Sequence, residues 1–357
     1  MLTSIARDHH LPAATDGEIA AINLESGRRG AWARFAHDPR RPGLAEAVVD
    51  HERLVAQFLG DLEALDRLDA LASHFSGLDD TSRAALVQAE VASTVHRFDD
   101  ARAHLARAAL LGGSGDALER HSLTIDQACG VKLDAVLAAR RRLAGASGRS
   151  EDLVPLGAVL ADLERFAEAN AVYRQAFYSY DRLSPFPLAW VCFQLGMLWG
   201  EIVPVADPDL AALWYRRAIA YLPGYVKARV HLAEVYQSQG QTVDAEALLL
   251  PALSSGDPEV QWRLSDVLTG QERFQEAETQ LAAARRGFEE LLGRHLLAFA
   301  DHAAEFYAGS GNDRRRALEL ARVNVANRPT RRAVQQELAI ASELSTARPV
   351  PTPGEQR

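Results

Sequence analysis

The sequence has few cysteines, few lysines and no long apolar segment. Its two cysteines, Cys129 and Cys192, are too few for a disulfide framework and lack metal-ligand spacing. We therefore expect two buried thiols in a reducing compartment. The most apolar run, residues 186–200, is shorter than the roughly 20 residues that a membrane-spanning helix needs, and no basic and apolar leader opens the chain. We expect a cytoplasmic protein without a membrane span.

The charge balance disfavours two classes of partner. A net charge of −9 does not suit a protein that coats nucleic acid or an anionic membrane. Only Lys132 and Lys227 among the 39 basic residues are lysines, a bias that we interpret as high-GC bacterial codon usage. We expect partners other than nucleic acid and membranes.

Enzyme signatures are also missing. The sequence has no phosphate-binding loop with lysine, no dinucleotide fingerprint, no His-Glu-x-x-His, no Cys-x-x-Cys and no Gly-x-Ser-x-Gly. Gly112-Gly-Ser-Gly115 follows no strand and reads as a loop between helices. His295, His302 and Glu305 share one helical face, but a set of two or three ligands on one helix is incomplete, as is His9-His10. We expect no catalysis, no cofactor and no metal.

What the sequence does contain is an internal repeat. Three stretches look alike, and each begins a helix: Arg97-Phe98-Asp99-Asp100-Ala101, Arg165-Phe166-Ala167-Glu168-Ala169 and Arg273-Phe274-Gln275-Glu276-Ala277. With the last alanine as a marker, the equivalent residues are Ala64, Ala101, Ala135, Ala169, Ala211, Ala245, Ala277 and Ala317. Their spacings are 37, 34, 34, 42, 34, 32 and 40 residues, and the common interval of about 34 is that of a helix-turn-helix repeat.

The rest of each unit agrees with this interpretation. A leucine and a small residue precede the marker, as in Leu156-Gly157, and apolar or small residues follow it at helical spacing, as at Tyr173 and Ala176. Prolines such as Pro223 and Pro329 come where the second helix must stop. Each unit is therefore predicted to be a pair of antiparallel helices.

In these residues the chain resembles the tetratricopeptide repeat (TPR) family over roughly residues 44–345. The resemblance implies an all-α, right-handed superhelical solenoid of about seven to eight hairpins plus a capping helix over residues 330–345. The longer units predict an extended turn at 201–209 and a lengthened helix at 287–295. Residues 1–43 are expected to be an N-terminal extension, with a short helix capped near Asp16 and a loop at 37–43. The Pro-rich residues 346–357 are expected to be disordered.

The resemblance also implies a binding site. In this family the concave face is lined by the first helix of each unit and usually binds a peptide or helix of a partner. The later units place aromatic and acidic side chains at these positions, which predicts a groove for an apolar segment with basic residues. The predicted groove residues are Trp190, Phe193, Met197, Glu201, Lys227, Val230, Glu234, Trp262, Asp266, Phe299, His302 and Phe306. If the insertions rotate these helices, then Trp190, Phe193 and Phe306 are core residues instead.

Three functions remain open. The first is a non-catalytic scaffold or adaptor that binds a protein or peptide in the groove; a carboxylate-clamp chaperone adaptor is disfavoured, since the groove has Lys227 and no asparagine. The second is a bacterial regulator that senses a peptide or metabolite, although 43 residues are too few for a DNA-binding effector domain. The third is a helical-repeat enzyme or metal-binding protein, with His302 as its support. The oligomeric state is left open.

Overall fold

Helices form every regular element in the described part of the chain. The computed structural model describes residues 11–76 and 81–346. The α-helices are α1 Gly17–His37, α2 Leu44–Leu59, α3 Glu63–Ser76, α4 Ser82–Thr94, α5 Phe98–Leu110, α6 Gly115–Ala128, α7 Leu133–Ser147, α8 Ser150–Asp162, α9 Phe166–Tyr178, α10 Pro185–Met197, α11 Pro208–Tyr221, α12 Val226–Ser238, α13 Thr242–Leu249, α14 Pro258–Gly270, α15 Phe274–Ala308, α16 Arg314–Asn327 and α17 Arg331–Thr346. A π-helical turn at Leu198–Ile202 and a 3₁₀ helix at Leu250–Ser255 complete the set.

Consecutive helices pack as hairpins. The pairs run from α2–α3 to α12–α13, and α14 then packs on the first half of α15. Non-helical dihedral angles at His295 divide α15, whose second half pairs with α16, and α17 packs on α16 as the cap. The described residues thus form eight hairpins and a capping helix, as predicted, and the insertion at 287–295 lengthens a helix. The extended turn is confirmed as well, since a π-helical turn and a loop separate α10 from α11.

The turn inside each hairpin repeats one backbone conformation. A residue with positive φ lies five positions before the marker alanine in six units, at His96, Gly130, Glu164, Gly240, Glu272 and Asn312. The amide that follows it donates back to the first helix, as from Arg165 N to Leu160 O at 2.8 Å. This left-handed closure satisfies carbonyl groups that the helix end would otherwise leave unpaired.

Small residues let the two helices of a hairpin approach closely. The edge of the Tyr173 ring lies over Gly157, so that a Cβ atom on this glycine would come within 2.5 Å of Tyr173 Cε1. Gly196 and Tyr215 repeat the arrangement two helices later, and both tyrosines are buried. Because an α-carbon without a side chain faces an aromatic ring, the two helices of each of these two hairpins pack as closely as a protein interior allows.

The chain before the first hairpin is more ordered than expected. The Asp16 side chain accepts hydrogen bonds from the backbone N–H groups of Glu18 and Ile19 and caps α1. The helix then continues for 21 residues, longer than the short helix predicted, because Ala31 and Phe35 bury against α2 and α3. The predicted loop at 37–43 is present.

Hairpins that are distant in sequence also touch. Phe58, at the end of α2, packs on Phe186 and Tyr225 with ring centroids 5.2 and 4.8 Å apart. At the His295 kink, the imidazole lies 2.8 Å from Asp66 of α3. The first hairpin therefore contacts helices that lie four or more units further along the chain.

The last two helices, α16 and α17, contact earlier units as well. Asn327 donates to the carbonyl of His96 at 3.0 Å, and Arg331 and Arg332 of the cap form ion pairs with Glu164 and Glu201. The superhelix is wound so tightly that one turn contacts the next. Contacts between distant units consequently cover parts of its inner face.

Two further expectations can be compared with the fold. Cys129 and Cys192 are free and buried, as predicted. Within residues 11–76 and 81–346, none of the helices combines the length and the apolar character required to cross a membrane. His9-His10 and the tail beyond Thr346 lie outside the described residues.

Candidate functional site

Four predicted groove residues are core residues instead. Phe193, Val230, Trp262 and Phe306 are at most 6% exposed. We expected them to face solvent, and this expectation is wrong for all four. The alternative that the sequence left open, in which Trp190, Phe193 and Phe306 are core, is observed for Phe193 and Phe306 but not for Trp190, which is half-buried.

Trp262 illustrates the reason. Its ring packs on Phe288 and Phe306, and its Nε1–H donates to Ser310 Oγ at 3.0 Å. Ser310 in turn donates to Asp266 at 2.6 Å. The hairpin that follows α14 covers the indole, so that the Trp262 side chain joins two units rather than lining a groove.

Trp190 keeps part of its surface accessible. Its ring stacks on Phe193 at 6.0 Å and meets Phe58 edge-on at 6.5 Å. Met197 is also half-buried, two turns further along α10. The inner face of α10 is thus apolar and partly open, and the first hairpin covers one end of it through Phe58.

A charged cluster follows directly on this apolar stretch. Glu201 Oε1 lies 2.6 Å from His231 Nδ1, and Glu234 Oε2 lies 3.3 Å from the same nitrogen. Arg332 of the cap lies 3.3 Å from Glu201, and Arg263 of α14 contacts Glu234. Both glutamates were predicted from the sequence, whereas His231, Arg263 and Arg332 were not. The spacing of His231 and Glu234, one helical turn apart, is the signal that could have found the histidine.

The charges in this cluster shift each other's ionisation. Burial alone would lower the pKa of His231, but the carboxylates of Glu201 and Glu234 raise it to about 10. Burial would raise the pKa of Glu201, yet His231 and Arg332 lower it to about 2. Glu201 and His231 are therefore ionised together near neutral pH.

A second cluster lies on the neighbouring units. His302 Nδ1 contacts Glu259 at the start of α14, while its Nε2 is 3.8 Å from Asp301. The negative charge of Glu259 raises the pKa of His302 to about 9 despite burial. Burial would raise the pKa of Glu259, but His302 and Lys227 lower it.

The ligand set that the sequence placed on one helical face is not assembled. His295 turns to Asp66 at the kink, whereas His302 turns to Glu259. Glu305 contacts Arg263 instead. Because non-helical angles at His295 interrupt α15, residues on its two sides no longer share a face.

The earlier units line the inner face with pairs between adjacent first helices. Arg120 of α6 contacts Asp152 of α8, and Gln127 donates to Asp162 at 3.3 Å. The pairing continues through the later units, where Arg263 joins α14 to α12. The inner face is therefore a series of ion pairs and hydrogen bonds with an aromatic stretch at α10.

Comparison with known proteins supports the architecture. No protein-family model matches the chain, and no curated protein matches it. Solved structures do match. A Rap protein complexed with Competence and Sporulation Factor is 14% identical, with a TM-score of 0.52 over 93% of this chain and 100% of that chain.

Two other solved structures have lower scores. The C-terminal part of a TPR repeat-containing protein from Cytophaga hutchinsonii is 12% identical, with a TM-score of 0.34 over 82% of this chain and 97% of its own. The Cut9-Hcn1 hetero-tetramer of the APC/C is 13% identical, with a TM-score of 0.44 over 86% of this chain and 58% of that chain. The hairpin architecture and the likeness to the Rap protein together identify the fold as an all-α, TPR-like helical-repeat solenoid.

Proposed function

We propose that the chain is a non-catalytic scaffold that binds a segment of a partner protein on the inner face of its superhelix. The observation that carries this proposal is the partly open apolar face of α10, at Trp190 and Met197, beside the carboxylates of Glu201 and Glu234. An apolar surface with charge at its edge is typical of sites that bind peptides. The Rap protein, which shares this architecture, was solved with a bound factor, and this supports the same use of the fold here.

The internal arginines indicate the chemistry of the segment. Glu201 and Glu234 each already contact a guanidinium group of this chain. The Arg332 side chain is 70% exposed, so a partner's arginine can replace it at small cost, because exposed ion pairs contribute little. The proposed ligand is therefore a segment with an apolar anchor for α10 and a basic residue that reaches Glu201.

Half-exposed positions on later units extend the surface. Lys227, Asp266, Phe299 and His302 remain partly accessible. They belong to the proposed surface, whereas Phe193, Val230, Trp262 and Phe306 support it from beneath. In this proposal the buried aromatic side chains set the shape of the inner face and the half-exposed ones make the contact.

A displayed peptide library, selected on the immobilised protein, tests the proposal. We expect enriched peptides that combine apolar and basic residues, with affinities that fall about tenfold or more in Met197→Asp. Val243→Asp is the matched control, because Val243 is 74% exposed on α13, the second helix of its hairpin. Circular dichroism verifies that both variants are folded.

Two results would contradict the proposal. Selection of peptides whose affinity is equal in Met197→Asp and the parent protein would place binding elsewhere. Equal losses in Met197→Asp and Val243→Asp would indicate a general surface effect rather than a site on the inner face.

A further inference from the structure

Three side chains from two adjacent units converge on one point of the inner face. Glu201 lies in the π-helical turn after α10, and His231 and Glu234 lie one turn apart on α12. One oxygen of each carboxylate and one imidazole nitrogen all lie within 4.8 Å of one another. The insertion in the turn of the α10–α11 hairpin brings Glu201 to this point.

The two glutamates are oriented by arginines on their far sides. Glu201 presents Oε1 to His231, while Arg332 lies 3.3 Å from Oε2. Glu234 presents Oε2 to the same nitrogen, while Arg263 contacts Oε1. Each carboxylate therefore has one oxygen anchored and one oxygen directed inward, which is how neighbouring groups orient the ligands of metal sites.

The histidine is held equally firmly. Its ring stacks on Tyr215 at 5.7 Å and meets Phe193 edge-on at 5.2 Å. The Nδ1 atom is buried, and neither nearby carboxylate forms a well-directed hydrogen bond with it. A buried nitrogen with two close carboxylate oxygens but no aligned hydrogen bond has the donor set of a cation site.

We propose that Glu201, His231 and Glu234 bind a divalent transition metal of the Zn²⁺ type, which takes the place of the Nδ1 proton of His231 and releases that proton to solvent. Ligand atoms of a tetrahedral zinc site, at about 2.0–2.1 Å from the metal, are about 3.3 Å apart. The Nδ1 to Glu234 distance already equals 3.3 Å, and the Nδ1 to Glu201 distance of 2.6 Å has to lengthen by a rotation of the carboxylate.

The ligand types select the class of metal. One imidazole and two carboxylates suit zinc and similar first-row ions better than the hard cations, which prefer oxygen alone. Three protein ligands leave a fourth position for water or for a group of a bound molecule. The metal is held by residues of this chain alone, so its binding can be tested without a peptide. A bound ion would compete with a partner's basic residue for Glu201, because both are cations.

The second cluster of the inner face provides a matched control. His302 also pairs with a glutamate, Glu259, but its other neighbouring carboxylate, Asp301, faces the opposite ring nitrogen. Its donors therefore do not converge on one point, and His302→Gln is expected to leave metal binding unchanged.

The test is a calorimetric titration of the untagged, full-length protein with Zn²⁺. We expect one ion per chain in the parent protein and in His302→Gln, and an affinity loss of more than about 100-fold in Glu234→Gln and His231→Gln. Co²⁺ in place of Zn²⁺ should give the intense visible absorption of a tetrahedral site, a readout that needs no variant.

Several results would overturn the proposal. These are a titration in which the parent protein does not bind Zn²⁺, equal losses of zinc affinity in His302→Gln and His231→Gln, or a Co²⁺ spectrum that is typical of an octahedral site. Met197→Ala leaves all three ligands in place and adds no charge beside Glu201, so it should bind zinc as the parent does although it removes most of the apolar side chain that the proposed peptide contacts. A failure of the metal site is therefore distinguishable from a failure of the proposed scaffold function.

Discussion

Replacement of Gly157 by alanine tests the close approach inside each hairpin. The added Cβ would lie 2.5 Å from Tyr173 Cε1 and 2.6 Å from Cδ1, whereas carbon atoms in contact are normally about 3.5–4.0 Å apart. The Tyr173 ring is 1% exposed and has no free space to move into. Overpacking a core costs about 1–3 kcal/mol, and alanine returns about 1 kcal/mol of helix propensity. We expect a net loss of about 0–2 kcal/mol in the free energy of unfolding.

A glycine without close neighbours is the matched control, since alanine there should raise the free energy of unfolding. Gly145 lies within α7, and a Cβ there would have no neighbour within 4 Å, so Gly145→Ala should stabilise the protein by about 0.5–1 kcal/mol. Urea denaturation followed by circular dichroism measures both variants. Because repeat proteins can unfold in parts, hydrogen exchange of α8 and α9 amides locates the effect. A Gly157→Ala protein as stable as Gly145→Ala would refute the close packing of Gly157 on Tyr173.

Three other predictions concern the turns, the core and the charges. Glu272→Gly should stabilise the protein by about 0.5–1 kcal/mol, because φ is +62° at this position and glycine adopts it without strain. Gly240→Ala, in the equivalent turn, should destabilise the protein. Urea denaturation measures the stability of both variants. Trp262→Ala should lower the free energy of unfolding by about 3–5 kcal/mol, and a change below about 0.5 kcal/mol would contradict its core position. In the comparison of His302→Gln with the parent protein, the stability difference should be greatest between pH 4.5 and 6.5. It should shrink as pH rises through about 9, where His302 of the folded protein loses its proton. It should also shrink as pH falls below 4.5, where Glu259 gains a proton in the unfolded chain while His302 holds its pKa lower in the folded protein. Thermal unfolding at a series of pH values measures this difference.

The repeat architecture was predictable because it depends on local spacing. The marker alanines, the small residue at Gly157 and the aromatic residue at Tyr173 recur at intervals that only paired helices explain. The turn conformation was less visible, although it is equally regular. Its left-handed position is occupied by glycine at Gly130 and Gly240 but by other residues at Glu164 and Glu272, so no single residue type marks it.

The character of the inner face was harder to predict, because it depends on contacts between distant units. A helical projection places Trp262 on the first helix of its unit, but it does not show that the next hairpin reaches back to cover the indole through Phe306 and Ser310. Nor does it show that Phe58 arrives at Trp190 from more than a hundred residues away. Helical spacing decides which side chains face inward. Contacts between distant units of the superhelix decide which of these side chains stay accessible.

The long connection in the α10–α11 hairpin explains why the functional candidates cluster at Glu201. The five residues from 203 to 207 separate the π-helical turn from α11, and this long connection places the Glu201 carboxylate beside His231 of the next unit and Arg332 of the cap. A shorter turn, as in the other hairpins, would end before this point. Glu201 thus joins the apolar face of α10, the proposed metal ligands and the contact with the cap. It belongs to the hairpin whose turn departs most from the repeat. Shortening this loop should therefore weaken peptide binding, zinc binding and the contact with Arg332 together, while the hairpins on either side keep their packing.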